Sequence, residues 1–196
     1  MKPKVLLTGR PGCGKTTLIK RLVNELALPA GGFYTEEIRQ CSKRVGFKIV
    51  TLEGEEAVLA HVDFNTTQRV GKYRLDLRVL ESIGSEAICT AVRARRLVVI
   101  DEIGPMEIRS PVFCDVVNDA LDSPDGSGIL GTITSRSFPF TNAIKKRHDV
   151  TLIEVRPNNR EQLALDYQAN SRPDHRNISR SVSTFFGAAP SASLSK

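Results

Sequence analysis

The chain has 196 residues, of which 40% are hydrophobic and 26% are charged, and its net charge is +6. These values are typical of one soluble globular domain, and no apolar stretch approaches the roughly 18 residues that cross a bilayer, which excludes a membrane span. The first predicted strand begins at Lys4, which leaves too few residues before it for the charged and apolar regions of a secretory signal. We therefore expect a cytoplasmic protein, with a nuclear one as the open alternative.

A phosphate-binding loop follows the first predicted strand. Residues 9–17 read GRPGCGKTT and come directly after the apolar run Val5 to Leu7. Glycines at this spacing let successive backbone N–H groups surround a phosphate at the positive end of the next helix. Lys15 would reach the β- and γ-phosphates, and the Thr16 hydroxyl would bind Mg²⁺. The predicted nucleotide-binding residues of this loop are Gly9, Arg10, Pro11, Gly12, Cys13, Gly14, Lys15, Thr16 and Thr17.

The next elements are a helix and three short strands. Apolar residues at helical spacing predict a helix from about Lys15 to Leu26, ended by the turn residues 29–32. Alternating segments at 33–39, 44–51 and 57–61, separated by polar turns, then predict strands. We interpret these strands as an antiparallel β-meander inserted in an α/β pattern.

A second chemical centre follows the next helix and strand. A helix is predicted at 77–95, and it leads into the apolar strand 97–100, which ends at Asp101 and Glu102. In a phosphate-loop fold, an acid at the end of a buried strand binds Mg²⁺, and Asp101 fits this role. Glu102 could orient and deprotonate the attacking water. Two adjacent acids at this place favour hydrolysis over transfer to an acceptor.

The last predicted elements complete a parallel sheet. Ser110 before Pro111 predicts a helix start, apolar runs predict strands at 129–134 and 151–155, and a final helix runs from Asn158 to Tyr167. Asn159 and Arg160 follow the last strand, where a base or ribose contact and helix capping are equally good interpretations. Thr132, Thr134 and Ser135 end the strand at 129–134, where a polar group could sense the γ-phosphate or simply be solvated. The cations that could act on the transferred phosphoryl group are Arg136, Lys146 and Arg147, among which the sequence does not choose.

The final segment differs in composition from the rest of the chain. Residues 168–196 are rich in Ser, Ala and Arg and contain few apolar side chains. Such a segment cannot bury enough surface to offset the entropy lost on ordering. We therefore predict a nucleotide-binding domain at 1–167 and a disordered tail at 168–196.

An ordered set of motifs resembles the cancer-related nucleoside triphosphatase family, first seen in thermophiles. Beside the phosphate loop, the segments are GGFYTEEIR at 31–39, VGKY at 70–73, VIDEIGPME at 99–107 and the pair Asn159-Arg160. The resemblance covers roughly residues 3–167. Glu161 stands where members of the family often have Asp, and the tail has no counterpart that we recognise.

This resemblance implies a fold and an activity. The fold would be that of a P-loop NTPase, with a RecA-like central parallel sheet flanked by helices. The activity would be slow, base-tolerant, Mg²⁺-dependent hydrolysis of ATP, GTP and other nucleoside triphosphates to diphosphates, carried out by a monomer. Gly9, Gly12, Gly14 and the residues Lys15 to Thr17 would bind phosphate and metal, and Asp101 and Glu102 would serve catalysis.

Two alternatives to the hydrolase remain from the residues themselves. A P-loop phosphotransferase that acts on a nucleotide or small molecule would share Lys15, Thr16 and Asp101, but the segment 135–147 holds only two arginines for a lid. A nucleic-acid-stimulated ATPase fits the net charge of +6, but an aromatic content of 6% without tryptophan offers little for base stacking.

Overall fold

The computed structural model describes residues 3–26, 28–123, 128–159 and 161–163. Within these residues, nine strands form one sheet in the order β5-β6-β4-β3-β2-β7-β8-β1-β9. The strands are β1 Lys4–Thr8, β2 Ala30–Gln40, β3 Lys43–Thr51, β4 Glu56–His61, β5 Arg69–Val70, β6 Tyr73–Leu75, β7 Leu97–Ile103, β8 Ile129–Ile133 and β9 Val150–Glu154. The α-helices are α1 Lys15–Leu26, α2 Leu77–Val79, α3 Ser85–Arg93, α4 Pro111–Asp122 and α5 Pro139–Lys145.

The parallel half of the sheet consists of the neighbouring strands β2, β7, β8, β1 and β9. Strand β1 lies between β8 and β9, so that Leu6 is paired with Gly131 on one side and Leu152 on the other. The continuous apolar runs of β1, β7 and β8 fit strands that are covered on both faces. This arrangement agrees with the predicted parallel sheet flanked by helices.

The helices cover both faces of the sheet because successive strand residues point to opposite sides. Val5 and Leu7 pack with the apolar side of α1, including Leu18 and Ile19. Leu6 instead belongs to the larger cluster on the other face, which includes residues of α3 and α4. Helix α1, which follows the phosphate loop, therefore packs on this face of the sheet, next to β8 and β2.

The predicted antiparallel meander is confirmed, because β2, β3 and β4 pair antiparallel in chain order, although β2 begins earlier than predicted. The first part of β2, from Ala30 to Tyr34, pairs in parallel with β7, and its later part pairs antiparallel with β3. The predicted turn at 29–32 is therefore largely strand. Gly32 explains the difference, because its φ is +113° and a Cβ there would lie 2.0 Å from the carbonyl oxygen of Val99. The short strands β5 and β6 were not predicted.

The helical boundaries also differ in detail. The predicted helix 77–95 consists of α2, a π-helical turn Leu80–Gly84 and α3. The start of α4 is confirmed, because Ser110 Oγ accepts a hydrogen bond of 3.1 Å from the backbone N–H of Phe113. Helix α5 was not predicted. Residues 161–163 are helical, while the predicted extension to Tyr167 and the predicted tail lie outside the described residues.

The parallel strands place their carboxyl ends at one edge of the sheet. The phosphate loop follows β1 at this edge, Asp101 and Glu102 lie near the end of β7, and Thr132 lies near the end of β8. Ligands of α/β proteins bind at this edge. Over the part of the chain that is described, no helix has the length and apolar character needed to span a membrane.

Candidate active site

The phosphate loop connects β1 to α1 through three glycines with positive φ. The φ angles are +145° at Gly9, +77° at Gly12 and +94° at Gly14. A Cβ at Gly9 would lie 2.4 Å from the carbonyl oxygen of Val155, so the loop lies directly against the chain that follows β9. Only glycine can occupy this position without moving the backbone. The loop therefore has a conformation that opens its N–H groups to an anion.

Lys15 links the loop to the two acids on β7. Its Nζ lies 3.3 Å from the carbonyl oxygens of Gly9 and Arg10, at the start of α1. Burial raises the pKa of Asp101 and of Glu102, and the positive charge of Lys15 opposes this rise in both. Leu7 of β1 is paired with Thr132, whose hydroxyl bonds to Asp101. The loop that follows β1 and the acidic pair on β7 therefore meet at the edge of the sheet where a phosphate would lie.

Asp101 is a buried carboxyl group with one strong hydrogen bond. The residue is 2% exposed, and its Oδ1 accepts a hydrogen bond of 2.6 Å from the Thr132 hydroxyl. Among the described residues, Oδ2 is buried and has no hydrogen-bond partner. Burial raises the pKa of Asp101, opposed by the hydroxyls of Thr132 and Thr16 and by the charges of Lys15 and Lys20.

These oxygens suit a magnesium ion. A buried carboxylate oxygen without a partner is costly unless a cation or donor approaches it, and the Thr16 hydroxyl supplies a second hard ligand beside it. The described segments contain no cluster of three or more His, Cys, Asp or Glu side chains that could hold a metal by itself. Mg²⁺ needs no such cluster, because it is usually bound by one or two protein oxygens together with phosphates and water.

Glu102 lies in an irregular part of β7. Ile100 pairs with Gly131 and Ile103 pairs with Ile133, so that two residues of β7 oppose one residue of β8. Bulges of this kind redirect side chains and are frequent beside active sites. Burial raises the pKa of Glu102, Lys15 and Arg136 lower it, and the charge of Asp101 raises it. A carboxylate with a raised pKa is suited to take up a proton.

The structure brings further residues to Asp101 that the sequence analysis did not identify. The Thr35 hydroxyl donates a hydrogen bond of 2.6 Å to the backbone carbonyl of Asp101. Burial, with the charge of Asp101, raises the pKa of the neighbouring Tyr34 to about 12, and Lys20 Nζ lies 5.0 Å from the centre of the Tyr34 ring. Thr132, considered above as a γ-phosphate sensor, bonds to Asp101 instead. The signal that could have found Tyr34 and Thr35 is the parallel pairing of β2 with β7.

The structure separates two of the three candidate cations, and Lys146, which follows α5, stays a candidate. Arg136 follows β8 at the carboxyl edge, and its charge opposes the rise that burial causes in the pKa of Glu102. Arg147 instead forms ion pairs with Asp149 at 2.9 Å and Asp122 at 2.8 Å. Asp149 in turn pairs with Lys4 at the start of β1, so Arg147 lies at the amino-terminal edge of the parallel strands, away from the phosphate loop. Arg147 is therefore wrong as a candidate.

A cleft beside the phosphate loop has room for the rest of a nucleotide. Its volume is about 570 Å³, and it lies between the loop and the chain after β9. Asn159 braces that chain: its Oδ1 accepts from the N–H of Arg156 at 2.8 Å, and its Nδ2 donates to the carbonyl of Glu154 at 2.9 Å. Arg160 lies outside the described residues. The lining residues are Arg10, Pro11, Gly12, Cys13, Glu154, Val155, Arg156, Pro157 and Asn158.

Comparisons with known proteins agree on one family. A family model described as NTPase matches residues 4–166. The nucleoside-triphosphatase THEP1 of Thermotoga sp. strain RQ2 is 49% identical over 160 residues, which are 82% of this chain and 90% of that protein. The human cancer-related nucleoside-triphosphatase is 38% identical over 181 residues, 85% of this chain and 95% of its own. The crystal structure of THEP1 from Aquifex aeolicus superposes with a TM-score of 0.76 at 34% identity, covering 83% of this chain and 95% of that one.

Proposed function

The chain belongs to the NTPase family, whose relatives are named nucleoside-triphosphatases, and we propose that it hydrolyses ATP, GTP and other nucleoside triphosphates to diphosphate and phosphate with Mg²⁺ as cofactor. The fold is that of a P-loop NTPase. The observation that carries the proposal is that the phosphate loop after β1 and the acids Asp101 and Glu102 on β7 share the carboxyl edge of the sheet, linked through Thr132 on β8. A triphosphate held by the loop would extend towards both acids.

The phosphate loop binds and orients the substrate. Backbone N–H groups of residues 9–17 surround the β-phosphate at the start of α1, and Lys15 contacts the β- and γ-phosphates. The Thr16 hydroxyl and the Asp101 carboxylate would hold Mg²⁺, which would supply positive charge to the phosphates. Thr132 keeps the Asp101 carboxylate in place through its hydrogen bond of 2.6 Å.

Glu102 acts as the general base. Its carboxylate accepts a hydrogen bond from the attacking water and takes one proton as the water oxygen bonds to the γ-phosphorus. The bond from this phosphorus to the β–γ bridging oxygen breaks, and the nucleoside diphosphate leaves with that oxygen. Arg136, which follows β8 at the same edge of the sheet, supplies positive charge to the transferred group.

The cleft beside the loop supports broad base tolerance. Arg156 and Pro157 line its wall, while the Asn159 amide is used in bonds to the backbone. A guanidinium and a proline ring offer flat surfaces that any base can stack on, without a fixed hydrogen-bonding pattern. Base or ribose contact by Arg160 stays a prediction. Slow turnover, a monomeric state, cytoplasmic location and the division into a domain at 1–167 and a tail at 168–196 also stay predictions.

The test is phosphate release without an acceptor. Purified protein is incubated with ATP, GTP, CTP or UTP, with Mg²⁺ or with EDTA, and inorganic phosphate is followed over time. We expect release from all four with Mg²⁺ and none with EDTA. Product that forms only when a nucleotide or alcohol acceptor is added would instead identify a phosphotransferase, and release only with added RNA or DNA would identify a nucleic-acid-stimulated ATPase.

A further inference from the structure

The peptide unit that joins Asp101 to Glu102 lies where the regular pairing of β7 is interrupted on both sides. Towards β2, the last paired residues are Tyr34 and Asp101. Towards β8, the register shifts between Ile100 and Ile103. In the sheet as described, Glu102 is therefore paired with neither neighbouring strand. The backbone that carries it needs another support.

A side chain of β2 supplies this support. Thr35 directly follows the last residue of β2 that pairs with β7, and its hydroxyl donates a hydrogen bond of 2.6 Å to the carbonyl oxygen of Asp101. Asp101 is 2% exposed, so that little water reaches this part of the strand. A buried carbonyl group is costly without a partner, which favours a lasting bond to the hydroxyl.

A bond to the Asp101 carbonyl also directs Glu102. The peptide unit is planar, so the carbonyl oxygen of Asp101 and the N–H and Cα of Glu102 move together. Fixing this oxygen therefore fixes the direction in which the chain enters Glu102. The Asp101 side chain has its own hydrogen bond from Thr132, so its position depends less on Thr35.

We propose that Thr35 is a positioning residue, which holds the peptide unit between Asp101 and Glu102 so that the Glu102 carboxylate is directed at the attacking water. The proposal rests on the proposed function, in which Glu102 is the general base. Thr35 bonds to the backbone of Asp101 and therefore acts through Glu102. Because a misplacement of about 1 Å can lower a rate about 100-fold, loss of the hydroxyl should reduce turnover more than nucleotide binding.

The needs of strand β2 alone do not explain a hydroxyl at this position. Thr35 is paired with Ile49 of β3, and valine is a β-branched strand former of nearly the same shape as threonine. Valine would therefore serve the strand equally well. The hydrogen bond to Asp101 is what distinguishes threonine here.

The experiment compares Thr35→Val, which removes the hydroxyl, with Thr35→Ser, which keeps it. We expect Thr35→Val to lower kcat about 10- to 100-fold while KM for ATP stays within about threefold of the wild-type value. Thr35→Ser should keep kcat within about threefold, because serine can still donate to the carbonyl oxygen of Asp101.

A matched control is Thr51→Val on the neighbouring strand β3. Thr51 is also buried, and its hydroxyl accepts a hydrogen bond of 3.0 Å from the backbone N–H of Glu55. This variant should lower Tm but leave kcat unchanged, because the bond that it loses does not involve Asp101. A wild-type kcat in Thr35→Val would overturn the proposal. So would an equal loss of kcat in Thr35→Ser, which would point to the methyl group, or in Thr51→Val, which would point to sheet stability.

A double-mutant cycle separates this proposal from the proposed function. Under single-turnover conditions, Thr35→Val should change the residual rate of Glu102→Gln by less than about twofold, because its effect passes through Glu102. An equal loss in both backgrounds would refute the positioning role while leaving Glu102 as the base. A Glu102→Gln variant with the wild-type rate would instead refute the proposed mechanism itself.

Discussion

The hydrogen bond between Thr132 and Asp101 is the contact on which the proposed metal site depends most. Thr132 is 0% and Asp101 2% exposed, and the bond is 2.6 Å long. Thr132→Val keeps the shape of the side chain but removes the hydroxyl that donates to Asp101 Oδ1. A hydrogen bond to a charged group contributes about 1.5–3 kcal/mol.

The loss should appear in magnesium-dependent binding. Without the hydroxyl, the ionised form of Asp101 is disfavoured, since the bond lowers its pKa against the effect of burial. A loss of 1.5–3 kcal/mol corresponds to about 10- to 100-fold weaker binding. We expect calorimetric titration with ATP to show this loss when Mg²⁺ is present and a much smaller one in EDTA.

A matched control is Thr141→Val in α5. Thr141 is also 0% exposed, but its hydroxyl donates to the neutral carbonyl of Phe138 over 3.3 Å. Because its hydroxyl bonds to a neutral carbonyl and not to Asp101, this variant should lose at most about 1 kcal/mol in urea unfolding and bind ATP as the wild type does. The reasoning is refuted if Thr132→Val binds Mg²⁺ and ATP like the wild type, or if Thr141→Val weakens binding equally.

Three further predictions address the loop, the cation and the sheet. Gly9→Ala should weaken ATP binding at least about tenfold by titration, because its Cβ would lie 2.4 Å from a carbonyl oxygen after β9. Arg136→Ala should lower kcat at least about tenfold with little change in KM or Tm, whereas Arg147→Ala should lower Tm and leave kcat unchanged; the reverse pattern would show that the cation was misassigned. The ion pairs of Asp149, first with Arg147 and then with Lys4, hold its pKa below the unfolded value, so their stabilisation is present above about pH 4 and is lost on acidification. Asp149→Asn should therefore lower the free energy of unfolding by about 3 kcal/mol at pH 7 and by less at pH 3, and equal losses at both pH values would contradict this.

The parts of the fold that the sequence predicted are those determined by local patterns. The apolar runs of β1, β7 and β8 predicted buried parallel strands, and the glycine spacing predicted the loop. Ser110 before Pro111 predicted the start of α4. In each case the residues that form the element are also those that carry the signal.

The parts that were missed depend on tertiary contacts. Gly31 and Gly32 are typical of a turn, yet they lie in β2 because β7 approaches the backbone too closely for a Cβ at Gly32. Helix α5 has only seven residues, too few for a helical period to stand out. In the candidate site, too, local patterns predicted some residues and tertiary contacts determined the others. Asp101 and Glu102 were predicted from the apolar run before them, whereas the contact of Thr35 with Asp101 follows from the pairing of β2 with β7.

The most direct test of the central claim measures binding and turnover separately in two variants. The account places Lys15 on the phosphates and Glu102 on the attacking water. Glu102→Gln should bind Mg²⁺ and ATP within about threefold of the wild type by equilibrium dialysis, while its single-turnover rate of phosphate release falls by about 100-fold or more. Lys15→Ala should lose binding and turnover together. Phosphate release by Glu102→Gln at the wild-type rate would contradict the account.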